Sequence, residues 1–272
     1  MKSSLFILIL AVSLFGIVLP ENAPFPGGVI VQEIESKVQP KVYFGKRQLM
    51  VLPSSEKDKY FIVAGISLNQ KVKTPYKVTI KEGKQKQFHS FILEDKAYKK
   101  QYITMKNKRK VSPMKQDMKR INDESSRSRK ALALYTSKKF TDLAMVRPVD
   151  VNISDDFGKR RYFNKKPRRP HSGVDMAAPT GTKIVAPLGG KIVEIGDFFF
   201  NGNVIFIDHG LGLVSMYCHM SKFDVKKGQV VVKGEKIGAV GATGRVTGPH
   251  LHWGVSLNGA MVDPRLFFVN QK

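Results

Sequence analysis

Glycine turns divide the last hundred residues of this 272-residue chain into short strand-like runs, and three of those runs concentrate ionisable side chains. His171-Ser-Gly-Val-Asp175, Tyr217-Cys-His219 and His250-Leu-His252 together supply four histidines and one aspartate. On a strand, successive side chains alternate faces, so His250 and His252 point to one side and Leu251 into the opposite layer. His171 and Asp175 share the same parity if their stretch is extended, and an i, i+4 pair would also share one face of a helix. Pro170 and Gly173 argue against the helix.

These residue types are the ones a hydrolytic zinc centre needs. Such a centre takes three protein ligands from His, Asp or Glu and leaves the fourth position to water. Two neutral imidazoles and one carboxylate leave the site net positive, which acidifies water and polarises a carbonyl. In the stretch around His219, the period-two reading groups Leu213, Ser215, Tyr217 and His219 on one face and Val214, Met216, Cys218 and Met220 on an apolar one. His219 is therefore expected to face a cleft, and Cys218 a core. The single cysteine cannot form an internal disulfide and reads as a small buried hydrophobe. His209, in a predicted turn, reads as structural, and His89 is assigned no role.

Three longer segments carry a resemblance: HSGVDMAAPTGTKIVAPLGGKI from His171, GNVIFIDHGLGLVSMYCHMS from Gly202 and VGATGRVTGPHLHWGV from Val240. From about Phe157 onward the chain resembles the catalytic domain of the lysostaphin/LytM-type zinc endopeptidases, DD-endopeptidase-like enzymes that cut peptide cross-links in bacterial peptidoglycan. The resemblance implies a mainly β fold with an antiparallel-sheet peptidase domain. It further implies one zinc held by His171, Asp175 and His252, with His219 and His250 as the catalytic pair beside it. All five residues are present, unlike in degenerate relatives that bind partners without hydrolysing anything.

Ahead of this region, residues 41–51, 60–68 and 76–80 are short, rich in Val, Ile, Tyr and Phe, and separated by Pro, Gly, Asn and Lys, which reads as a small β domain. It is similar to the β-rich N-terminal domain of Gram-negative members of the same family. The expected organisation is residues 1–23 as signal or anchor, 24–105 as the β domain, 106–145 as a basic helical link and 146–272 as the peptidase. In the link, Ser112-Pro113 predicts a helix start, and the charged stretch to about Tyr135 predicts one exposed helix. The apolar run from Leu5 to Leu19 follows Lys2 and predicts export, either with cleavage near Ala23 or as an uncleaved inner-membrane anchor.

The formal net charge of +24 draws the chain to an anionic polymer. A nucleic-acid module is the rival class, but no zinc-finger cysteine spacing or aromatic RNA-binding signature is present, and GATGRVTG from Gly241 lacks the Gly-Lys-Ser/Thr ending of a phosphate loop. Peptidoglycan is the expected partner and nucleic acid is not. A catalytically silent wall-binding activator is the other alternative. The basic cluster from Lys159 to Arg169 is expected near the cleft.

Overall fold

The computed structural model of the protein describes residues 17–137 and 142–268. The first strands are β1 (Val29–Glu35), β2 (Lys41–Phe44), β3 (Arg47–Gln48), β4 (Met50–Pro53), β5 (Lys59–Gly65), β6 (Tyr76–Glu82) and β7 (Gln85–Phe91). They form two sheets, ordered β1-β5-β4 and β3-β2-β6-β7. Alternation along β1, β4 and β5 buries both faces of the smaller sheet. Ile30, Val51, Ile62 and Ala64 pack toward Val42, Val78 and Ile80 of the neighbouring sheet. Val29, Met50, Leu52 and Val63 turn the other way and enter the core of the C-terminal region.

Next come β8 (Lys100–Ile103), a single helical turn α1 (Lys108–Val111) and helix α2 (Met118–Leu132). The helix starts later than Ser112-Pro113 predicts, because Ser112 closes α1 and α2 begins only after Asp117. Asp117 accepts from the Arg109 guanidinium and from the Met114 N–H (3.0 Å), which ties the intervening turn. Nor is α2 a free spacer. Ile121, Glu124 and Ala131 form a buried stripe at helical spacing. Buried Glu124 accepts from the Phe199 N–H at 2.6 Å, Arg127 pairs with Glu194 at 2.7 Å, and Ala131 packs with Phe206, Val214, Met216 and Cys218. The outer face of the helix is charged and exposed, as expected from the sequence.

The remaining strands are β9 (Arg160–Phe163), β10 (Lys166–Pro167), β11 (Val174–Ala177), β12 (Lys183–Val185), β13 (Gly190–Phe198) and β14 (Gly202–Gly210). They continue with β15 (Leu213–Met220), β16 (Lys222–Phe223), β17 (Val230–Val231), β18 (Lys236–Ala239), β19 (His250–Leu257) and β20 (Ala260–Val262). The main sheet runs β11-β19-β15-β14-β13-β17, with β20 also on β19, and all its pairings are antiparallel. Small sheets β12-β18-β16 and β10-β9-β8 flank it, and β8 pairs with β9 in parallel. One face of the main sheet presents Leu251, Trp253, Val255, Leu257 and Tyr217 to the core that also takes Val29, Met50 and Val63. The opposite face is capped by α2.

The apolar run expected to direct export lies outside the described residues up to position 16. Its end is described: Ile17 and Leu19 pack on the main core, and Glu21 N–H donates to the Leu266 carbonyl at 2.8 Å. Among the described residues, no helix is long and apolar enough to cross a membrane.

Where the N-terminal sheet meets the main one, Gly65 lies so close that a Cβ would fall 2.5 Å from the Leu257 carbonyl oxygen and 3.1 Å from Val262. Gly65→Ala should therefore lower stability by about 1–3 kcal/mol, the scale of overpacking. Trp253 is the only tryptophan, is buried in the main sheet and reports the result. The urea midpoint followed by its fluorescence should fall; an unchanged midpoint would mean that the two regions unfold independently.

Candidate metal centre

Strands β11 and β19 place Asp175 directly opposite His252 and Ala177 opposite His250. His171 precedes β11 in irregular chain, held by backbone bonds from its N–H to Lys159 (2.9 Å) and from Gly158 N–H to its carbonyl (2.8 Å). Three atoms converge: His171 Nε2 lies 2.9 Å from Asp175 Oδ1 and 3.0 Å from His252 Nδ1, and Asp175 Oδ1 lies 2.8 Å from His252 Nδ1. Among the described residues this is the one group of His, Cys, Asp or Glu side chains arranged to hold a metal ion. The candidate ligands His171, Asp175 and His252 are thus brought together and buried.

The donor set fits zinc. Bonds of about 2.0–2.1 Å in a tetrahedral site separate ligand atoms by roughly 3.3 Å, close to the triangle observed. His171 Nδ1 lies 2.7 Å from the Asp156 carbonyl, which can only accept, so Nδ1 carries the hydrogen and Nε2 keeps its lone pair. Two lone-pair atoms, His171 Nε2 and Asp175 Oδ1, therefore face each other, an arrangement that a cation between them relieves. Burial pushes His252 down to about 4, only partly offset by Asp175, so its imidazole is neutral at pH 7, as ligation requires.

His219 and His250 complete the group. Their ring centres are 4.8 Å apart, and His250 Nε2 lies 3.9 Å from Asp175 Oδ1. Simple alternation does not explain how His219 arrives there. Cys218 is the residue paired with His252, so the apolar face of β15 and the histidine face of β19 are the same face. The expected cleft face, with Leu213 and Tyr217, is buried in the main core. His219 escapes that core through a bulge: three steps from Tyr217 to Met220 oppose two from Ile205 to Asn203, and His219 takes φ of 66°. The same bulge sends Met220 into the main core rather than onto the Cys218 face. Burial first, and then the neighbouring histidines, push His219 down to about 3. Cys218 is buried in the small cluster under α2, as expected. His209 is buried and bonds to Ser215 Oγ at 2.7 Å, a structural role, and His89 is on β7, remote from the site in the fold.

The site also recruits residues that the motifs do not name. Arg161, from the basic cluster, donates to Asp175 Oδ2 at 2.8 Å and to Asp155 Oδ2 at 2.5 Å, and Gln101 of β8 bonds to both Asp155 and Arg161. The Thr243 carbonyl accepts from His219 Nδ1 at 2.8 Å, which ties the GATGRVTG loop to the site. The parallel β8–β9 pairing is what brings Gln101 in, and a contact of that range leaves no local pattern in the sequence. Beside Pro170, a cleft of about 370 Å³ is lined by Lys71, Lys73, Lys96 and Arg160.

Gly173 owes its presence to closeness. A Cβ there would meet the Trp253 carbonyl oxygen at 2.3 Å and the His252 ring at 2.9 Å. Gly173→Ala should displace His252 and weaken zinc binding by about tenfold or more, the scale for disturbing what orients a ligand. Competition with a chromophoric chelator measures this, and unaltered affinity would show that β11 and β19 separate without disturbing the ligands.

The chain is similar to known proteins. The N-terminal domain model of peptidase family M23 matches residues 22–96, and the model of peptidase family M23 itself matches residues 169–264. Peptidoglycan DD-endopeptidase ShyA of Vibrio cholerae is 42% identical over 119 residues, covering 43% of this chain and 28% of that protein. DD-carboxypeptidase/endopeptidase Mpg of Neisseria meningitidis is 42% identical over 116 residues, covering 43% and 27%. The matched part thus spans little more than a quarter of either relative. A crystal structure from Pseudomonas aeruginosa described as peptidase M23 superposes with a TM-score of 0.75 at 38% identity, over 90% of this chain and 95% of that one. On the shared fold, which runs through both the N-terminal sheets and the sheet that carries the histidines, the chain belongs to peptidase family M23.

Proposed function

We propose that the protein is a zinc-dependent endopeptidase that hydrolyses peptide cross-links of bacterial peptidoglycan, and that it acts after export, in the periplasm or cell envelope. The observation that carries this reading is the convergence of His171, Asp175 and His252 on one point beside a second pair of histidines. The Vibrio cholerae relative named as a peptidoglycan DD-endopeptidase supports the substrate. The expected division into residues 1–23, 24–105, 106–145 and 146–272 belongs to this reading, as does inner-membrane contact through the first segment.

In this reading His171 Nε2, Asp175 Oδ1 and His252 Nδ1 hold the ion. Zinc held there supplies Lewis acidity, which polarises a peptide carbonyl and makes water more acidic. His219 and His250 each direct Nδ1 at a backbone carbonyl, of Thr243 (2.8 Å) and Gly248 (2.9 Å). Because a carbonyl only accepts, Nδ1 is the protonated nitrogen in both, and each Nε2 keeps a lone pair. One of the two takes the proton from the attacking water at Nε2, and the other steadies the charge developing on the carbonyl oxygen only in its protonated form, which carries a hydrogen on Nε2 as well. The proton then goes to the leaving amine. Burial and the neighbouring histidines lower His219, so its ring is neutral at pH 7.

Separate outcomes are expected for the two histidines of β19. His252→Ala should lose most of the zinc and the activity with it, since two remaining ligands do not close a selective site. His250→Ala should keep close to one zinc per chain while turnover drops about a hundredfold, the scale of losing an acid/base group, and His219→Ala should resemble it. Metal content and muropeptide release from the same folded preparations decide the matter: zinc lost from His250→Ala, or full activity in His252→Ala, would overturn the assignment.

The cationic cleft beside Pro170 and the net charge of +24 support capture of an anionic wall polymer. Raising salt should then slow hydrolysis of intact sacculi much more than hydrolysis of small soluble muropeptides, because screening shortens the reach of exposed charges. Identical salt profiles for the two substrates would exclude electrostatic capture.

A further inference from the structure

Strand β7 is an outer edge of the sheet β3-β2-β6-β7, and six of its seven residues are exposed. The pleat gives this sheet two unlike faces. Val42, Tyr76, Val78, Ile80 and Phe91 pack inward with Ile62 of β5. On the outward face, pairing sets Lys81 level with Lys41 and Lys86, Thr79 level with Tyr43 and Phe88, and Lys77 level with Ser90. None of these outward positions carries an acid. Phe88 is 71% exposed, and Ile92, between buried Phe91 and Leu93, is 87% exposed. Alternation thus puts Phe88, Ser90 and Ile92 in one outward line. Lys86 Nζ lies 5.0 Å from the Phe88 ring centre, and Lys81 Nζ 5.0 Å from that of Tyr43.

Lysines on an open edge keep it from pairing with another chain. That role does not explain Phe88 and Ile92, which are the kind of side chain a guarded edge excludes. Four lysines with no acid among them attract anions, whereas two large apolar side chains are drawn to a phase that removes them from water. A second copy of the chain would set the same four lysines against one another. An anionic polysaccharide or nucleic acid supplies charge but no apolar phase for Ile92, and the ammonium groups over Phe88 and Tyr43 occupy ring faces on which a sugar or base would stack. The surface of an anionic bilayer supplies both, with phosphates in the headgroup layer and acyl chains beneath it. Lysine stems are long enough to leave their charge among the headgroups while Phe88 and Ile92 go deeper.

We propose that the outward face of the N-terminal sheet, centred on Phe88 and Ile92 and ringed by Lys41, Lys77, Lys81 and Lys86, docks on the surface of an anionic lipid bilayer. The contact is separate from the metal centre and from the apolar run at the N-terminus, and it does not depend on the peptidase reading.

The test places an environment-sensitive fluorophore on Ser90→Cys in the full-length chain; Cys218 is buried and escapes labelling. The labelled chain is titrated with vesicles of phosphatidylglycerol and phosphatidylethanolamine carrying brominated acyl chains, and with brominated phosphatidylcholine vesicles. Because the label sits on the face itself, insertion of the N-terminal run alone does not reproduce its signal. Quenching should need about tenfold or more less lipid with the anionic vesicles than with phosphatidylcholine, and it should recede as salt is raised. Lys77→Gln together with Lys86→Gln should weaken the response about twentyfold, since each lysine near an anionic surface is worth about fivefold. Phe88→Ser together with Ile92→Ser should weaken it about tenfold or more. Absent quenching, equal quenching by the two vesicle types, or quenching that both double variants leave unchanged overturns the proposal. Shielding of the label by sacculi or by DNA but not by vesicles assigns the face to a polymer and overturns it as well, as does shielding that grows with protein concentration alone, the mark of a second copy. The urea midpoint followed by Trp253 fluorescence shows whether the variants fold; if a double variant does not, the lipid-charge and salt dependence of the Ser90→Cys label decide.

Discussion

The pleat of β19 is the constraint on which the rest of the site depends. Leu251, Trp253, Val255 and Leu257 are all fully buried on one face, so the strand cannot slip by one residue without turning this apolar row out of the core. That register fixes His250 and His252 on the opposite face, and pairing with β11 then brings Asp175 level with His252. The positions of the polar groups are thus set mainly by apolar packing, and little backbone adjustment is left for a metal to induce.

Much of this was legible in the sequence because it is local. The parity of His250 and His252, the apolar placement of Cys218 and the β character of both regions follow from the residues themselves. His219 shows where the reading stops. Alternation put it with Leu213 and Tyr217, on a face that is buried, and it reaches the other histidines through a bulge with a left-handed backbone that no period-two pattern reveals. Gly173 was read as a helix breaker, whereas the structure needs it for the close approach of Trp253 and His252.

The helix in the link shows a different limit. Its outer face is as charged and exposed as its composition implies, but the buried stripe of Ile121, Glu124 and Ala131 is short and contains an acid, so the amphipathic signal is weak. Glu124 is buried because it serves the Phe199 N–H and Arg120, partners that only the folded chain supplies. Arg161 was hidden for a related reason. In a chain so rich in lysine and arginine, it is marked only by what surrounds it, the carboxylate pair of Asp155 and Asp175.

His171 and His252 lie 81 residues apart, with β11 to β18 between them. Bringing them together means closing a long loop, an entropic cost that must be met before any contact across it contributes, and topologies dominated by such distant pairings are slow to form. A nascent or unfolded chain therefore holds His171 and Asp175 near one another but lacks the third donor until β19 has inserted between β11 and β15. Metal capture by all three donors is in this sense a late event of folding, and its rate would report when the central strand takes its place.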